Sequence, residues 1–272
     1  MNVSIVTYQT KIQDLLRLFD CILGDELIEK VFIIDNSPTD ELKYKIHKLS
    51  PKLTYIFGHG NIGYGSAHNI AIRKSLSYGV DYHVVLNPDI YFGKDVLAEL
   101  KSFMDREGDV GAVMPKIIYP DGEIQFLCKC MPRPLDLFGR RFIKNKNWVE
   151  KNNYRYELRK SGYDKLLNVP CLSGCFMFLK VDALKDVGLF DEKIFMYLED
   201  YDLYRRLHQK YKTIYYPFVT VIHEHAKESY KNKKLLKAHI KSSIYYFNKW
   251  GWFFDRKRKK FNKIILKEIG YI

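Results

Sequence analysis

Carboxylates stand at the ends of two short apolar runs that are typical of buried β-strands. Asp35 follows residues 31–34, and Asp89 closes an Asn-Pro-Asp turn after residues 82–86. The proline removes a backbone donor and restricts Asn87, so the strand should end there and hold Asp89 on a fixed turn. Because open α/β sheets bind ligands at the carboxyl ends of their strands, Asp89 is a candidate ligand for a hard cation. A helix cap or an Asx turn would explain either residue alone.

A glycine-rich loop stands between a predicted strand and a predicted helix, with the sequence Asn61-Ile-Gly-Tyr-Gly-Ser-Ala-His-Asn69. Its glycines allow the backbone to approach a ligand closely before the helix begins. The loop lacks the Gly-Lys-Ser/Thr of a Walker loop and does not match the Gly-x-Gly-x-x-Gly dinucleotide pattern. It therefore predicts a ligand contact without naming the ligand.

Three acids, Glu199, Asp200 and Asp202, open a predicted helix over residues 200–210. The helix dipole favours acids in a first turn, which is a purely structural explanation. Asp202 and Arg206 are four residues apart and are expected to pair and brace the helix start. Taken alone, these acids do not indicate a function.

His223 and His225 stand two residues apart at the end of a predicted strand, so their side chains share one face. Imidazole can bind a divalent cation or a phosphate. A lone histidine is usually structural, but a pair in this position makes both residues candidates for the same ligand.

Alternating strands and helices would position these residues. Short apolar runs predict strands at residues 3–7, 31–34, 53–57 and 82–86, and apolar residues at helical spacing predict helices between them. Such alternation is typical of an α/β fold with a mostly parallel, Rossmann-like sheet that carries helices on both faces.

Beyond Met114 the pattern weakens. Residues 128–165 show no clean periodicity and predict an excursion over the sheet, where substrate loops tend to lie. The remaining expected elements are a strand near 172–179, a short helix from 182, and edge strands at 213–216 and 219–222. We expect one domain over residues 1–230 and a helical tail over residues 231–272.

Charge is concentrated in that tail. The chain carries a net charge of +13, and residues 227–267 hold 14 Lys and Arg against two acids, which accounts for +12 of it. The tail also contains aromatic residues beside the basic run at 256–260. This combination favours an anionic membrane surface, although a solvated helix packed on the core or a nucleic-acid contact would also explain it.

The five cysteines do not follow zinc-site spacing and predict reduced, mostly buried thiols. No apolar run approaches the roughly 20 residues of a spanning helix, and no secretion signal is visible at the first residues. These features predict a cytoplasmic protein that is peripheral on the inner face of the cell membrane.

In their order and spacing, these residues and motifs resemble those of glycosyltransferase family 2, the inverting nucleotide-sugar enzymes of the GT-A fold, and especially those of its rhamnosyltransferase-like branch. The resemblance covers roughly residues 3–229 and rests on the Asn-Pro-Asp turn and on Phe195-Met-Tyr-Leu-Glu-Asp-Tyr-Asp-Leu203. It implies a nucleotide-diphosphate sugar donor, dTDP- or UDP-linked, and a divalent cation, Mg²⁺ or Mn²⁺. It also implies a glycan or lipid-linked acceptor and no nucleic acid.

The resemblance also implies roles for individual residues. Asp89 matches the second acid of the family's Asp-x-Asp motif, whose first acid is Asn87 here, and would bind the cation with His223 or, one alternate residue on, His225. Asp200 would be the catalytic base, with Glu199 as the fallback. The expected nucleotide-sugar contacts are Thr7, Tyr8, Asp35, Asn36, Asn61, Gly63, Asn69, Asn87 and Arg206.

The resemblance therefore implies a metal-dependent inverting hexosyltransferase for cell-surface polysaccharide, with L-rhamnose as the candidate sugar. A non-enzymatic basic module that binds membranes or nucleic acid is the alternative. Loss of all function on deletion of the tail would favour that alternative, whereas residual turnover of soluble acceptors would favour the transferase.

Overall fold

A nine-stranded sheet organises the chain. The computed structural model describes residues 1–46, 48–139, 143–224 and 233–272. Its strands are β1 (Asn2–Thr7), β2 (Lys30–Asp35), β3 (Leu53–Ile56), β4 (Tyr82–Leu86), β5 (Ile90–Phe92), β6 (Val110–Ile118), β7 (Leu167–Asn168), β8 (Phe176–Lys180) and β9 (Lys212–His223).

The strand order is β3-β2-β1-β4-β8-β6-β9-β5, and β7 also pairs with β9. The strands β3, β2, β1 and β4 are mutually parallel. β8 is antiparallel to both β4 and β6, and β9 is parallel to β6. Of the strands in the described residues, β1, β2, β3, β4, β6 and β9 therefore run in one direction. The predicted mostly parallel sheet is confirmed.

Helices cover both faces of the sheet. They are α1 (Ile12–Ile22), α2 (Glu41–Ile46), α3 (Tyr64–Tyr78), α4 (Val96–Arg106), α5 (Lys146–Tyr156), α6 (Val181–Val187), α7 (Glu199–Leu207), α8 (Lys233–Trp250) and α9 (Arg256–Glu268). On β1, Val3 and Ile5 belong to the main core, which includes the buried face of α1, whereas Val6 packs with Ala67 and Ala71 of α3. This alternation buries both faces of the first strand.

The carboxyl-terminal half of the sheet differs from the predicted pattern. The two expected edge strands at 213–216 and 219–222 form one strand, β9, which is paired on both sides. Its register against β6 slips between the partners of Pro115 and Lys116. Pro217, which has no N–H to give the ladder, lies in that slip. The proline therefore produces a bulge rather than the predicted break.

The described part of the tail packs against the body. Ser242, Ser243, Tyr246 and Phe247 of α8 are buried, as are Ile265 and Leu266 of α9. Along α8, Leu236 and Ile240 are half-buried, Phe247 is buried, and Ile244 is 42% exposed. None of the helices in the described ranges is long and apolar enough to cross a bilayer.

Candidate active site

The end of β4 and the end of β9 meet at a polar corner. Asp89 Oδ1 lies 3.4 Å from His223 Nε2, and Asn87 Nδ2 lies 3.4 Å from the same nitrogen. The other ring nitrogen of His223 lies 2.9 Å from Gln125 Oε1. Gln125 also donates to the His223 carbonyl at 2.8 Å, so that the ring is held in one orientation.

Electrostatics at this corner favour a positive charge. Burial alone would lower the pKa of His223, but the neighbouring Cys175 and Asp89 outweigh it and raise the pKa to about 10. The imidazole is accordingly protonated at neutral pH unless another cation takes the place of its proton. The corner can therefore hold one positive charge opposite a phosphate, either as a proton or as a metal.

The donor set fits a divalent cation only in part. Asp89 supplies carboxylate oxygens and His223 an imidazole nitrogen. No cluster of three or more His, Cys, Asp and Glu that could hold a metal exists within the described ranges. Mg²⁺ sites in phosphate-binding enzymes commonly use one or two protein ligands and complete their shell with phosphate oxygens and water. The corner fits a cation that is shared with a bound diphosphate.

Tyr64, the first residue of α3, connects this corner to a second group of acids. Its hydroxyl lies 2.9 Å from Asn87 Oδ1 and 2.8 Å from the Gly174 carbonyl oxygen. Burial is the main reason that the pKa of this phenol lies well above its usual value. The hydroxyl thus stays neutral and donates to the carbonyl groups around it.

Asp200 lies on the other side of Gly174. Its Oδ2 accepts from the Gly174 N–H at 3.0 Å, and its Oδ1 accepts from the Tyr201 N–H at 2.8 Å. A methyl group at Gly174 would stand 3.2 Å from the Asp200 Cβ, so glycine permits this close approach. Burial raises the pKa of Asp200 to about 6, against the lowering effect of these two N–H groups.

Glu199 is the more deeply buried member of the pair. It is 6% exposed, and its Oε2 has no hydrogen-bond partner among the described residues. Burial, and then repulsion from Asp200, raise the pKa of Glu199 well above its usual value. Of the two adjacent carboxyls, Glu199 is therefore the one whose surroundings favour the protonated form more strongly.

Asp35, at the end of β2, belongs to a separate region. Its Oδ1 accepts from the N–H and hydroxyl of Ser37, at 3.0 and 2.5 Å, and its Oδ2 accepts from the Tyr55 hydroxyl at 2.6 Å. Asn36 donates to the Gly63 carbonyl at 3.2 Å. An open pocket of about 280 Å³ is lined in part by Asp35. Its other lining residues are Gln9, Thr10, Lys11, Gln13, Ser37, Thr39, Glu41, Leu42 and Lys45.

The other predicted donor contacts occupy different environments. Thr7 is buried, and its hydroxyl has no partner among the described residues, whereas Tyr8 is 53% exposed. Asn61 accepts from the Gly63 N–H at 3.2 Å and shapes the loop. Both ends of the buried Asn69 amide bond the Phe190 backbone, at 2.9 and 3.0 Å. That amide fastens α3 to the segment before α7 rather than presenting a free edge to a ligand.

Arg206 requires a correction. Its guanidinium donates to the carbonyls of residues 187, 188 and 189 at 2.6 to 2.9 Å, and to Asp202 at 2.9 Å. All of its nitrogens are engaged by protein, so the predicted nucleotide-sugar contact is wrong. The expected pairing with Asp202 is present, and Arg206 braces the chain that leads into α7.

Several site residues were not among the sequence predictions. Gln125 orients His223, Cys175 lies beside that imidazole, and Lys129 contributes a positive charge near Asp200. The position of Tyr64 inside the glycine loop could have indicated that it belongs to the site. Gln125 and Lys129 lie beyond Met114, where the sequence pattern weakens, and no sequence feature indicated them. His225, the alternative to His223, lies outside the described residues.

Comparison with known proteins gives a consistent assignment. A family model described as Glycosyl transferase family 2 matches residues 3–188. N-acetylglucosaminyl-diphospho-decaprenol L-rhamnosyltransferase of Mycobacterium tuberculosis (strain CDC 1551 / Oshkosh) is 28% identical over 232 residues, which are 81% of this chain and 75% of the relative. Low-salt glycan biosynthesis hexosyltransferase Agl10 of Haloferax volcanii is 28% identical over 123 residues, 45% of this chain and 38% of the relative.

Solved structures share the fold. The crystal structure of GalNAc-T7 with UDP, GalNAc and Mn²⁺ superposes with a TM-score of 0.63 at 14% identity, over 99% of this chain and 56% of that one. S. aureus TarS 1-349 in complex with UDP gives 0.57 at 14% identity, over 100% and 72%. Mannosyltransferase PcManGT of Pyrobaculum calidifontis with GDP-Man and Mn²⁺ gives 0.54 at 16% identity, over 100% and 76%.

Proposed function

Since this chain belongs to glycosyl transferase family 2, we propose that it is an inverting, metal-dependent glycosyltransferase that moves a sugar from a nucleotide diphosphate to a hydroxyl group. The assignments of Asp200 and His223 are part of this proposal, because both residues lie beyond the matched range. The sugar proposed is L-rhamnose, carried by a dTDP donor, with a UDP-sugar as the other candidate.

One observation carries the proposal. The Tyr64 hydroxyl contacts both Asn87 and Gly174. Asn87 contacts His223 at the cationic corner, and the Gly174 N–H donates a hydrogen bond to Asp200. Residues separated by more than 100 positions in sequence are thus linked through polar contacts of 2.8 to 3.4 Å. Inverting sugar transfer requires this pairing of an anion-binding group with a base on the opposite side of the sugar.

In the proposed reaction, Asp200 accepts the proton of the acceptor hydroxyl as the hydroxyl oxygen attacks the anomeric carbon of the donor sugar. The two N–H groups on Asp200 fix the orientation of the carboxylate. Glu199 remains neutral and positions the sugar or acceptor by hydrogen bonding through its buried Oε2. Attack on the face opposite the leaving diphosphate inverts the anomeric configuration.

Asp89 and His223 would hold a Mg²⁺ or Mn²⁺ ion together with the diphosphate. When bound, such an ion would neutralise the negative charge that develops on the leaving group. Asp35 and the pocket beside it would bind the nucleoside, with Thr7, Tyr8 and Asn36 at its edge. Asn61 and Gly63 would shape the loop over the phosphates and sugar.

The rhamnosyltransferase of M. tuberculosis, by its name, acts on a lipid-linked diphospho-sugar. By extension, we assign this chain a lipid-linked or growing cell-surface glycan as acceptor. An enzyme with such an acceptor would act at the cytoplasmic face of the cell membrane, as a peripheral protein.

A ligand screen tests the proposal. Nucleotide sugars should raise the melting temperature of the protein, and Mn²⁺ should increase the shift, because ligands that bind only the native state stabilise it. Asp89→Ala should abolish the Mn²⁺-dependent part. Asp81→Ala, which removes an exposed carboxylate at the other end of the same strand, should retain it. Absence of stabilisation by every nucleotide sugar would contradict the proposal.

A further inference from the structure

Two adjacent phenylalanines stand in solvent at the turn between α8 and α9. Phe253 is 81% exposed and Phe254 is 98% exposed. Trp252, just before them, faces inward and stacks on Phe138 with the ring centroids 6.2 Å apart. We refer to Phe253 and Phe254 as the aromatic tip. Two neighbouring hydrated aromatic rings mark an interaction surface more strongly than a scattered exposed side chain does.

The turn that carries the aromatic tip is held rigidly. The buried Arg258 guanidinium donates to the carbonyls of Gly251 and Trp252, at 3.2 and 3.0 Å, and to that of Phe253 at 3.4 Å. Gly251 has φ +104°, and a Cβ there would lie 2.7 Å from the Phe254 carbonyl oxygen. The exposure of the two rings is therefore imposed by a constructed turn and does not result from a loose loop.

Basic residues follow the aromatic tip along α9. Six of them are exposed, namely Arg256, Lys257, Lys259, Lys260, Lys263 and Lys267. The first turn of α9 contains no acid, although the helix dipole disfavours cations at that end. The N-cap Asp255 offsets only part of this positive charge. An anionic surface against the exposed cations would relieve their mutual repulsion.

We propose that the aromatic tip and the basic residues of α9 dock onto an anionic phospholipid bilayer. The two rings enter the boundary between headgroups and acyl chains, and the cations contact the headgroups. This inference rests on the lipid-linked acceptor of the proposed function. Single-stranded nucleic acid fits less well, because its aromatic partners form stacking platforms within a basic groove, whereas these rings protrude.

The aromatic tip is connected directly to the helix of the catalytic base. Asp255, the next residue, accepts two hydrogen bonds from Arg205 of α7, at 2.6 and 2.8 Å. Both side chains are almost fully buried. Arg205 follows Asp200 by five residues, which is about 7.5 Å along the helix axis. Docking of the tip would therefore fix the position of the base relative to the bilayer that carries the acceptor.

Flotation with lipid vesicles tests this inference without requiring turnover. The full chain should float with vesicles of phosphatidylcholine and phosphatidylglycerol. The double variant Phe253→Ser/Phe254→Ser should bind at least about tenfold more weakly, because the apolar contribution is lost. Phe218→Ser, which removes a ring that is 65% exposed on β9, should bind like the wild type. The melting temperature of both variants should match that of the wild type.

A second arm separates the two contributions. Lys259→Glu/Lys260→Glu should weaken flotation at low salt and have less effect at high salt, where surface charges are screened. Equal flotation of the tip variant and the wild type would overturn the inference, as would a preference for single-stranded oligonucleotide over vesicles. Flotation without any sugar transfer would refute the proposed function while leaving the docking surface intact.

Discussion

At the scale of single residues, the neighbours Glu199 and Asp200 differ in charge because their surroundings differ. Asp200 receives two backbone N–H bonds, which stabilise the carboxylate. Glu199 has a buried oxygen without a partner in the described chain, which stabilises the neutral acid. A base must be ionised before it can accept a proton, so the geometry favours Asp200 over Glu199 for that role.

Substitution separates the two roles. Asp200→Asn preserves size and removes the base, and should lower kcat by about 10²- to 10⁴-fold with donor affinity unchanged. Glu199→Gln replaces a neutral acid with a neutral amide and should have a smaller effect on kcat. Steady-state kinetics and donor titration of both variants measure this. The base assignment would have to move to Glu199 if the order of the two effects were reversed.

The rate should also depend on pH in a defined direction. Burial raises the pKa of Asp200 to about 6, and the base works only when deprotonated. Activity should therefore be full well above pH 6 and fall as the pH drops through 6, approaching about tenfold per pH unit. A profile of kcat/KM against pH measures this, because kcat/KM reports the pKa values of the free enzyme. The residual activity of Asp200→Asn should not fall in this way below pH 6. A fall that persists in this variant would have to be assigned to another titrating group.

At the scale of elements, the first half of the fold followed from the sequence, because each parallel strand there is an apolar run with a helix pattern after it. The sequence pattern did not predict β6, and it divided the bulged β9 into two strands. Prolines occur within both strands, and local pattern cannot show that a strand continues past a proline. The Asn87 and Asp89 turn was recognised from the same rule, since Pro88 ends β4. Long-range partners such as Gln125 and Lys129 depend on the folded chain path, which periodicity does not encode.

The glycine loop provides a test at this scale. Gly63 has φ +89°, and a Cβ there would lie 2.2 Å from the Phe195 carbonyl oxygen, whereas Gly60 has φ +68° and open space around it. Gly60→Ala should cost about 1–2 kcal/mol of the free energy of unfolding from backbone strain alone. Gly63→Ala should cost about 1–3 kcal/mol more, because the Phe195 segment must move.

Urea unfolding and donor titration of the two variants measure this difference. Gly63→Ala should also weaken donor binding, since the displaced loop contacts Asn36 through the Gly63 carbonyl. Gly60→Ala is the matched control for positive φ. Equal destabilisation of the two variants would show that the contact with Phe195 does not constrain the loop.

At the scale of the whole molecule, the basic tail is attached to the catalytic body through buried polar contacts. Asp202 is fully buried and accepts from Lys249 and Trp250, each at 2.8 Å. Arg205 of α7 pairs with Asp255 across the same interface. The boundary predicted between residues 230 and 231 lies outside the described residues, and the division into domain and tail stays a prediction. The contacts nevertheless make α8 and α9 structural partners of α7.

Deletion of residues 233–272 should therefore unfold the protein rather than release a soluble catalytic domain. Loss of function on deletion of the tail would then not distinguish a basic binding module from a transferase. The deletion exposes the apolar surface that covers Tyr246, Phe247, Ile265 and Leu266, each of which contributes about 1.5–3 kcal/mol by burial. It also leaves Arg205 without its partner. The sum is comparable with the 5–15 kcal/mol that stabilises a typical protein. Asp255→Ala, which removes the ion pair with Arg205 and the side-chain cap of α9 but leaves both helices in place, should cost about 3–5 kcal/mol. Urea unfolding followed by circular dichroism compares the two, and a truncated chain that unfolds cooperatively at the wild-type urea concentration would show that the body is stable without α8 and α9.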